Sequence, residues 1–503
     1  MGEHRHNSFV SDIFRHPELE PVYTHHQCPH NIYIGLCSRH LLDNNPAPDF
    51  LEHTESGTIL LGGERPVWEE WTQEAVLAVS RDLIREWVEE RGKVEPIGLD
   101  QYLQKFSGSK RDRLARCINK ALYRGVWDTS VTGFVKCDKY DRETALTKAP
   151  RMIQFVDPAV NAELARFMEP VEHHYLLGPG FGPSGTPSCS KGMSPTDRAD
   201  TWVQKRSVFR DPVCLLGDFS KFDSHVHTHV LQLEHDWWEQ ASGCHRKLLD
   251  SQLINHCTAG DIRWTAVGTR MSGHRNTGGG NSLINIMITQ TVARCAGVEV
   301  ELLCDGDDSL VFLEAEDLPR YAEAASCIIP RVYGMKWGYD VAKTADEEEY
   351  CHTRQSYDEC GLPVCVVDPI RAITRSAAVV NRTGGRLLGA QLVATLVGMY
   401  CSYPNHPVIS PFAWNLLGRL GALREDGLVV SYMTPPEDVY QREKWNLCVR
   451  PWLGAEGFVK LPRGFLVPGA LARADVAASF GVSVEDQMRL EQTLWKEVEL
   501  NPT

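Results

Sequence analysis

The segment that most restricts the fold is Cys304-Asp305-Gly306-Asp307-Asp308. It lies between two runs of strand-forming residues, 298–304 and 309–313. Two such runs joined through an Asp-Gly dipeptide predict a tight hairpin. The apolar runs require burial while the acids between them must leave the core, so the tip has to open on a cleft. A third apolar run, 213–216, ends similarly in Gly217-Asp218. Asp218, Asp307 and Asp308 thus stand at strand ends as candidate ligands of a hard divalent cation, which prefers oxygen donors. Two such ions can activate a hydroxyl and stabilise a departing pyrophosphate. The plain alternative is that Asp-Gly makes a good turn and Asp a good cap.

The neighbouring segments favour the first reading. Asp218 is followed by Asp223 across Phe219-Ser220-Lys221-Phe222, and about fifty residues later comes Met271-Ser272-Gly273-His274-Arg275-Asn276-Thr277-Gly278-Gly279-Gly280-Asn281. The Asp-x4-Asp, Ser-Gly-x3-Thr-x3-Asn and Gly-Asp-Asp patterns, in that order, resemble motifs A, B and C of viral RNA-dependent RNA polymerases, most nearly those of tombusviruses and tombus-like viruses. Phe134 to Lys139, Ala149 to Gln154, Asp157-Pro158, Asn161 to Arg166 and Glu169 to His173 are similar to that family's basic fingers segment. Lys191-Gly192, and the stretch from Glu349 to Gln355, also look familial. The resemblance runs from about residue 30 to 370, is strongest over 134–313, and is missing from the last 130 residues or so.

The resemblance implies an α/β fold with an α+β palm, arranged as a right-hand polymerase. It places an N-terminal segment with fingertips at 1–100, and fingers with a basic nucleotide-binding segment at 101–210. The palm falls at 211–370 (with a finger insertion near 240–270), and a mostly helical thumb is assigned to 371–503 by position alone. The implied reaction copies positive-strand viral RNA from nucleoside triphosphates, with two Mg2+ or Mn2+ ions. Its partners are template and nascent RNA and other viral replication proteins. Asp305 stands where the family usually has Asn, an extra acid that bears on metal preference.

The same likeness suggests individual roles. Asp218 and Asp307 bridge the metals, assisted by Asp308. Asp223, Thr277 and Asn281 read the ribose, because a hydroxyl both donates and accepts; helix capping is the rival role for Thr277 and Asn281. Ser272 and Gly273 form a flexible loop near the incoming base, and Gly278 to Gly280 permit close backbone approach or positive φ. Lys136, Lys139 and Arg151 hold the triphosphate, with a merely solvated charged face as the alternative. A lysine after motif C protonates the pyrophosphate: Lys343 in preference to Lys336.

Other features bound the reading. A reverse transcriptase would favour an aromatic-x-Asp-Asp turn, a non-catalytic relic would be expected to have lost an acid, and a metal hydrolase of the HExxH kind lacks its motif here. His25, His26, Cys28, His30, Cys37 and His40 match no common zinc spacing. His225, His227 and His229 alternate on an expected helix, where they would not share a face. The sixteen cysteines show no repeated Cys-x2-Cys, which favours reduced thiols in a cytosolic compartment; the resemblance makes that the host cytoplasm. No apolar run reaches the length of a membrane span, and residues 387–401 read as a buried helix. Met1 opens the chain without the membrane-anchoring segment usual upstream in the family, so membrane contact is expected to be indirect, within a replication complex.

Net charge is the one global feature that points the other way. Lys and Arg number 52 against 66 Asp and Glu, giving −14, where a nucleic-acid binder usually shows a basic excess. Yet residues 105–151 hold 12 Lys and Arg against 5 Asp and Glu. A basic wall inside an acidic protein attracts phosphate over a Debye length of about 8 Å.

Overall fold

The structure is a computed structural model. It describes residues 22–39, 71–357, 361–379, 385–430, 445–454, 458–461 and 468–494, with residues 433 and 496 and short strands at 7–9, 11–12, 14–15 and 499–500. His40, Pro435 and Pro436 lie outside the described residues.

The first half builds a mixed layer. Helix α1 (Pro29–Arg39) sets Ile32 and Leu36 against a small sheet. Helix α2 (Gln73–Arg91) starts where Thr72 accepts from the Ala75 amide, and buries Val76, Leu83 and Trp87 on one face. The basic helix α3 (Gly108–Arg124) then precedes strands β1 (Val131–Val135) and β2 (Met152–Phe155). Helix α4 (Pro158–Val171) packs its alanines, Ala159, Ala162 and Ala165, against α3. After α5 (Pro195–Arg206) the chain enters β3 (Pro212–Phe219) and helix α6 (Thr228–Ser242). The hairpin β4 (Ile254–Ala259) and β5 (Ile262–Val267) leaves this region and joins β1 in parallel, giving the order β2-β1-β4-β5.

Helix α7 (Thr277–Ala296) leads into β6 (Glu301–Asp305), β7 (Asp308–Glu314), α8 (Leu318–Ile328) and β8 (Trp337–Ala342). The central sheet is antiparallel, in the order β6-β7-β3-β8. Strands β6, β7 and β3 read as nearly continuous apolar runs because both faces are covered, whereas β8 is only partly buried, with Asp340 and Val341 exposed. Val213, Leu215, Val311 and Leu313 enter the core built with α2, α7 and α8, while Cys214, Leu310, Phe312 and Leu303 meet Trp202 of α5 and Tyr350 on the other face. Helix α7 is buried almost all round, as a helix at the centre of a fold must be. It begins at Thr277, one turn earlier than a helix starting at Asn281 would, so the three glycines lie inside its first turns.

A small sheet, β9 (Glu349–Tyr350), β10 (Thr353–Tyr357) and β11 (Pro363–Val367), ends the α/β part. Helices α9 (Pro369–Ala377), α10 (Gly385–Ser402), α11 (Ile409–Arg419), α12 (Ala470–Phe480) and α13 (Val484–Thr493) follow. They supply most of a second core, which includes Ile373, Val397, Phe412, Leu416 and Leu490. Among the described residues no helix is long and apolar enough to cross a membrane.

Candidate active site

The acids gather at one end of the central sheet. Gly217 pairs with Ser309, so Asp218, the next residue along β3, falls beside Asp308 at the start of β7. Asp305 pairs with Asp308, leaving Gly306-Asp307 as the two-residue turn. Gly306 has φ +73°, which suits the first position of such a turn and which L side chains avoid. Helix α7 holds the turn from behind: Asn285 Nδ2 donates to the Gly306 carbonyl (2.9 Å), and the Gly306 amide donates to Ser282 Oγ (3.0 Å).

Mutual repulsion marks the cluster. Desolvation, with Asp308 and then Asp223 and Asp218 adding like charge, pushes Asp307 up to about 7. Asp308 is raised too, mainly by desolvation and also by Asp218 and Asp305, against a thiol hydrogen bond from Cys351 (3.5 Å). Cys351 reaches it from a turn in which Cys351 and His352 both take positive φ, a conformation non-glycine residues rarely adopt. Among the described residues no three acids, histidines or cysteines are close enough to hold an ion as they stand. The donor set itself suits one: it is all carboxylate oxygen, and a divalent cation would relieve the repulsion that raises Asp307 and Asp308.

Asp223 sits beside this cluster, on the short helix Phe222–His225. Asn281, one turn into α7, donates through Nδ2 to Asp223 Oδ1 (2.8 Å) and accepts at Oδ1 from Arg270 Nε (3.0 Å). Arg270 is also ion-paired with Glu234 of α6, both side chains fully buried. Thr277 does not join the pair: its hydroxyl lies 2.7 Å from the Met271 carbonyl and 3.0 Å from that of His274. It is no N-cap either, a position held by Asn276. The glycine run permits close approach, and at none of the three is φ positive. A Cβ on Gly278 would lie 1.7 Å from Lys191 Nζ, on Gly279 2.3 Å from Glu172 Oε1, and on Gly280 2.2 Å from Glu234 Oε1. Three charged side chains pass against the helix start.

Ser272 and Gly273 are pinned rather than flexible. Ser272 Oγ accepts from the Gln154 amide (3.1 Å) and lies 3.2 Å from the Met152 carbonyl. The Gly273 amide donates to Gln154 O (2.7 Å), and a Cβ there would lie 2.6 Å from that oxygen. Asn161 of α4 clamps the same loop, donating to Gly273 O (2.9 Å) and accepting from the Arg275 amide (2.9 Å).

The basic candidates separate. Lys136 and Arg151 both pair with Asp138, on adjacent backbone joined by the Lys136 amide and Arg151 carbonyl (2.7 Å). Lys139 turns elsewhere. Its ammonium donates to the carbonyls of Arg375 and Ala378 (2.6 Å each), capping the C-terminal end of α9, and burial brings it down to about 8. Lys343 must be corrected outright. Strand β8 runs antiparallel to β3, with Gly338 opposite Asp218 and Ala342 opposite Cys214, so Lys343 follows the end remote from the acids. Lys336 precedes the near end, and its carbonyl accepts from the Ser220 amide (2.9 Å).

Three of the histidines noted above make internal contacts. His25 is buried against Tyr140, its ring Nε2 3.2 Å from Ala145 O. His227 stacks on His229, whose Nε2 lies 2.8 Å from Val332 O, and a break after His225 separates the pair from the shorter helix. Glu234, Arg270, Ser282 and Asn285 escape a reading of the sequence, since none belongs to a spacing pattern, and Asn276 and Cys351, though inside quoted segments, carry no role there. The one available signal is that an Arg directly before Met-Ser-Gly is charged in an otherwise apolar and small-residue context.

Over residues 67–406 the chain matches the family described as viral RNA dependent RNA polymerase. Among curated relatives it is 26% identical over 435 residues to the RNA-directed RNA polymerase of Oat chlorotic stunt virus, covering 79% of this chain and 53% of that protein. The polymerase of Turnip crinkle virus is 29% identical over 324 residues (56% and 41%), and that of Cucumber necrosis virus 31% over 242 residues (46% and 29%). The matches span about half or less of those relatives' lengths.

Proposed function

Because the chain belongs to the viral RNA-dependent RNA polymerase family, we propose that it copies an RNA template into RNA from nucleoside triphosphates, replicating the genome of a tombus-like positive-strand virus. The observation that carries this reading is the convergence of Asp218, Asp307 and Asp308 at one sheet end, with the Asp223–Asn281 pair alongside. In this reading the central sheet is the palm (211–370). The sheet that holds β1 and β2, completed by the hairpin near 240–270, belongs to the fingers (101–210), with the 1–100 segment as fingertips. The helical second core is the thumb (371–503).

Asp218, Asp307 and Asp308 would hold two Mg2+ or Mn2+ ions. When bound, these lower the cost of ionising the 3′-hydroxyl and of charge on the leaving group. The primer 3′-oxygen, its proton lost to solvent, attacks the α-phosphorus; the new O–P bond forms as the bond from the α-phosphorus to the bridging β-phosphate oxygen breaks, and pyrophosphate departs. Lys136 and Arg151 are placed together to neutralise the triphosphate, exchanging Asp138 for phosphate. Asp223 and Asn281 present an acceptor and a donor to the ribose 2′-hydroxyl. Lys336, at the acid end of β8, delivers the proton to pyrophosphate. Template, nascent RNA and nucleotides are the partners. Other replication proteins would bring the enzyme to a membrane-associated complex in the host cytoplasm.

The test is purified protein with a homopolymer RNA template, with and without primer, in Mg2+ or Mn2+. Labelled product from the wild type and none from Asp307→Ala is expected. Equal product from both would overturn the reading.

A further inference from the structure

We infer that Arg270, held by Glu234, is the positioning residue that makes the Asp223–Asn281 pair selective for ribose. The inference rests on the polymerase reading above and deepens it. An asparagine amide can turn either its oxygen or its nitrogen toward a carboxylate, and only the nitrogen attracts it. Arg270 removes the choice. A guanidinium carries donors alone, so its Nε, 3.0 Å from Asn281 Oδ1, requires the oxygen on its own side and leaves Nδ2 to face Asp223 at 2.8 Å. The amide is thereby locked in the orientation that keeps Asp223 in place.

The lock is anchored away from the cleft. Arg270 is 1% exposed and its Nη2 meets Glu234, also 1% exposed. Glu234 Oε1 also accepts from Trp238 Nε1 (2.8 Å) and Asn276 Nδ2 (2.7 Å), and Gln252 joins through Asn276 (3.0 Å). The Arg270 amide donates to the Asp223 carbonyl (2.7 Å), tying the segment before α7 to the short helix that carries Asp223. One residue therefore grips both members of the pair, one through its side chain and one through its backbone.

Stability alone does not call for such an arrangement. A buried ion pair is commonly no more stabilising than apolar residues of the same volume. Here Arg270 Nη1 has no hydrogen-bond partner, a further cost. Gly280 is required to make room for the pair, since a Cβ there would sit 2.2 Å from Glu234 Oε1 and 3.0 Å from Arg270 Nη2. What the arrangement supplies is a fixed geometry at Asn281, and fixed polar geometry is what allows a site to reject a substrate lacking one hydroxyl.

The experiment measures kcat/KM for one ribonucleotide and its 2′-deoxy counterpart on the same primed RNA template. The wild type is compared with Arg270→Lys, which keeps the buried charge but lacks the planar fork. It is also compared with the double variant Arg270→Met/Glu234→Leu, which removes both charges together and so leaves neither unpaired. In both variants the ribonucleotide value falls by roughly 10-fold or more while the deoxynucleotide value stays within about two-fold, so the ratio collapses. A structural defect would lower both substrates together and keep the ratio. A wild-type ratio retained in either variant overturns the inference while leaving the polymerase reading intact. A wild type that adds neither nucleotide overturns the polymerase reading, and this inference with it.

Discussion

Replacing Asp307 by Asn should stabilise the metal-free protein while abolishing its activity, and the gain should depend on pH in a defined sense. The Asp307 carboxyl rises from the ordinary 3.8 to about 7 because it is desolvated and faces Asp308, Asp223 and Asp218. The folded state therefore binds this proton more tightly than the unfolded chain does. Its stability from this group is complete below the ordinary value, declines as pH climbs between the two, and has reached its floor above about 7. Taken at face value the displacement is worth about 4 kcal/mol. The side chain is exposed to the cleft, so water and relaxation reduce that to about 1 kcal/mol. For a chain of this length that is a Tm change of about 1–2 °C. Differential scanning calorimetry of both proteins in EDTA should show Asp307→Asn melting higher at pH 8.5, with the gap more than halved at pH 5 and closing below the ordinary carboxyl value. Excess MgCl2 should raise the wild-type Tm and close the gap at pH 8.5, because binding to the folded state alone stabilises it. A gap that is absent, or equal at both pH values, or a variant that gains as much from Mg2+ as the wild type, would refute the idea of a strained acid cluster awaiting a cation.

Other substitutions separate the remaining roles. Lys336→Leu should lower kcat by about 10- to 100-fold with little change in KM, read by rapid-quench primer extension, whereas Lys343→Ala should leave single-nucleotide addition unaltered. Lys205→Ala strands Glu301 in a site where both side chains are wholly buried, and should cost about 3–5 kcal/mol in urea unfolding. Gly280→Ala forces a methyl against the Glu234 carboxylate and should cost about 1–3 kcal/mol by the same measurement, together with nucleotide addition.

Much of the site is legible without coordinates because strand ends and turns obey local rules. Asp218 and Asp307 fall where apolar runs stop, and an apolar run can stop only where the sheet leaves its core. The Asp-Gly turn is encoded in two residues. The pairing of Asp223 with Asn281 comes from a resemblance and could not be had from spacing, since 58 residues separate them. The helix start at Thr277 was hidden by its three glycines, poor helix formers that are kept there by the charged groups packed against them. Lys139 and Lys343 show the opposite failure. Both are lysines at suitable distances along the chain, but one is drawn to the carbonyls ending α9 and the other is carried off by the direction of β8.

The sequence alone thus determined the local chemistry around the acids: three apolar strand runs, the turn between two of them, and carboxylates crowded where the runs stop. Those properties follow from side-chain size, polarity and backbone preference over a few residues. Only the tertiary structure decided which distant groups meet. It brought Arg270 and Glu234 beneath Asn281, Ser282 and Asn285 behind Gly306, and Cys351 onto Asp308. The reason is that a buried donor or acceptor must find a partner wherever the packing places one. Nothing in the chain's linear order says where that will be.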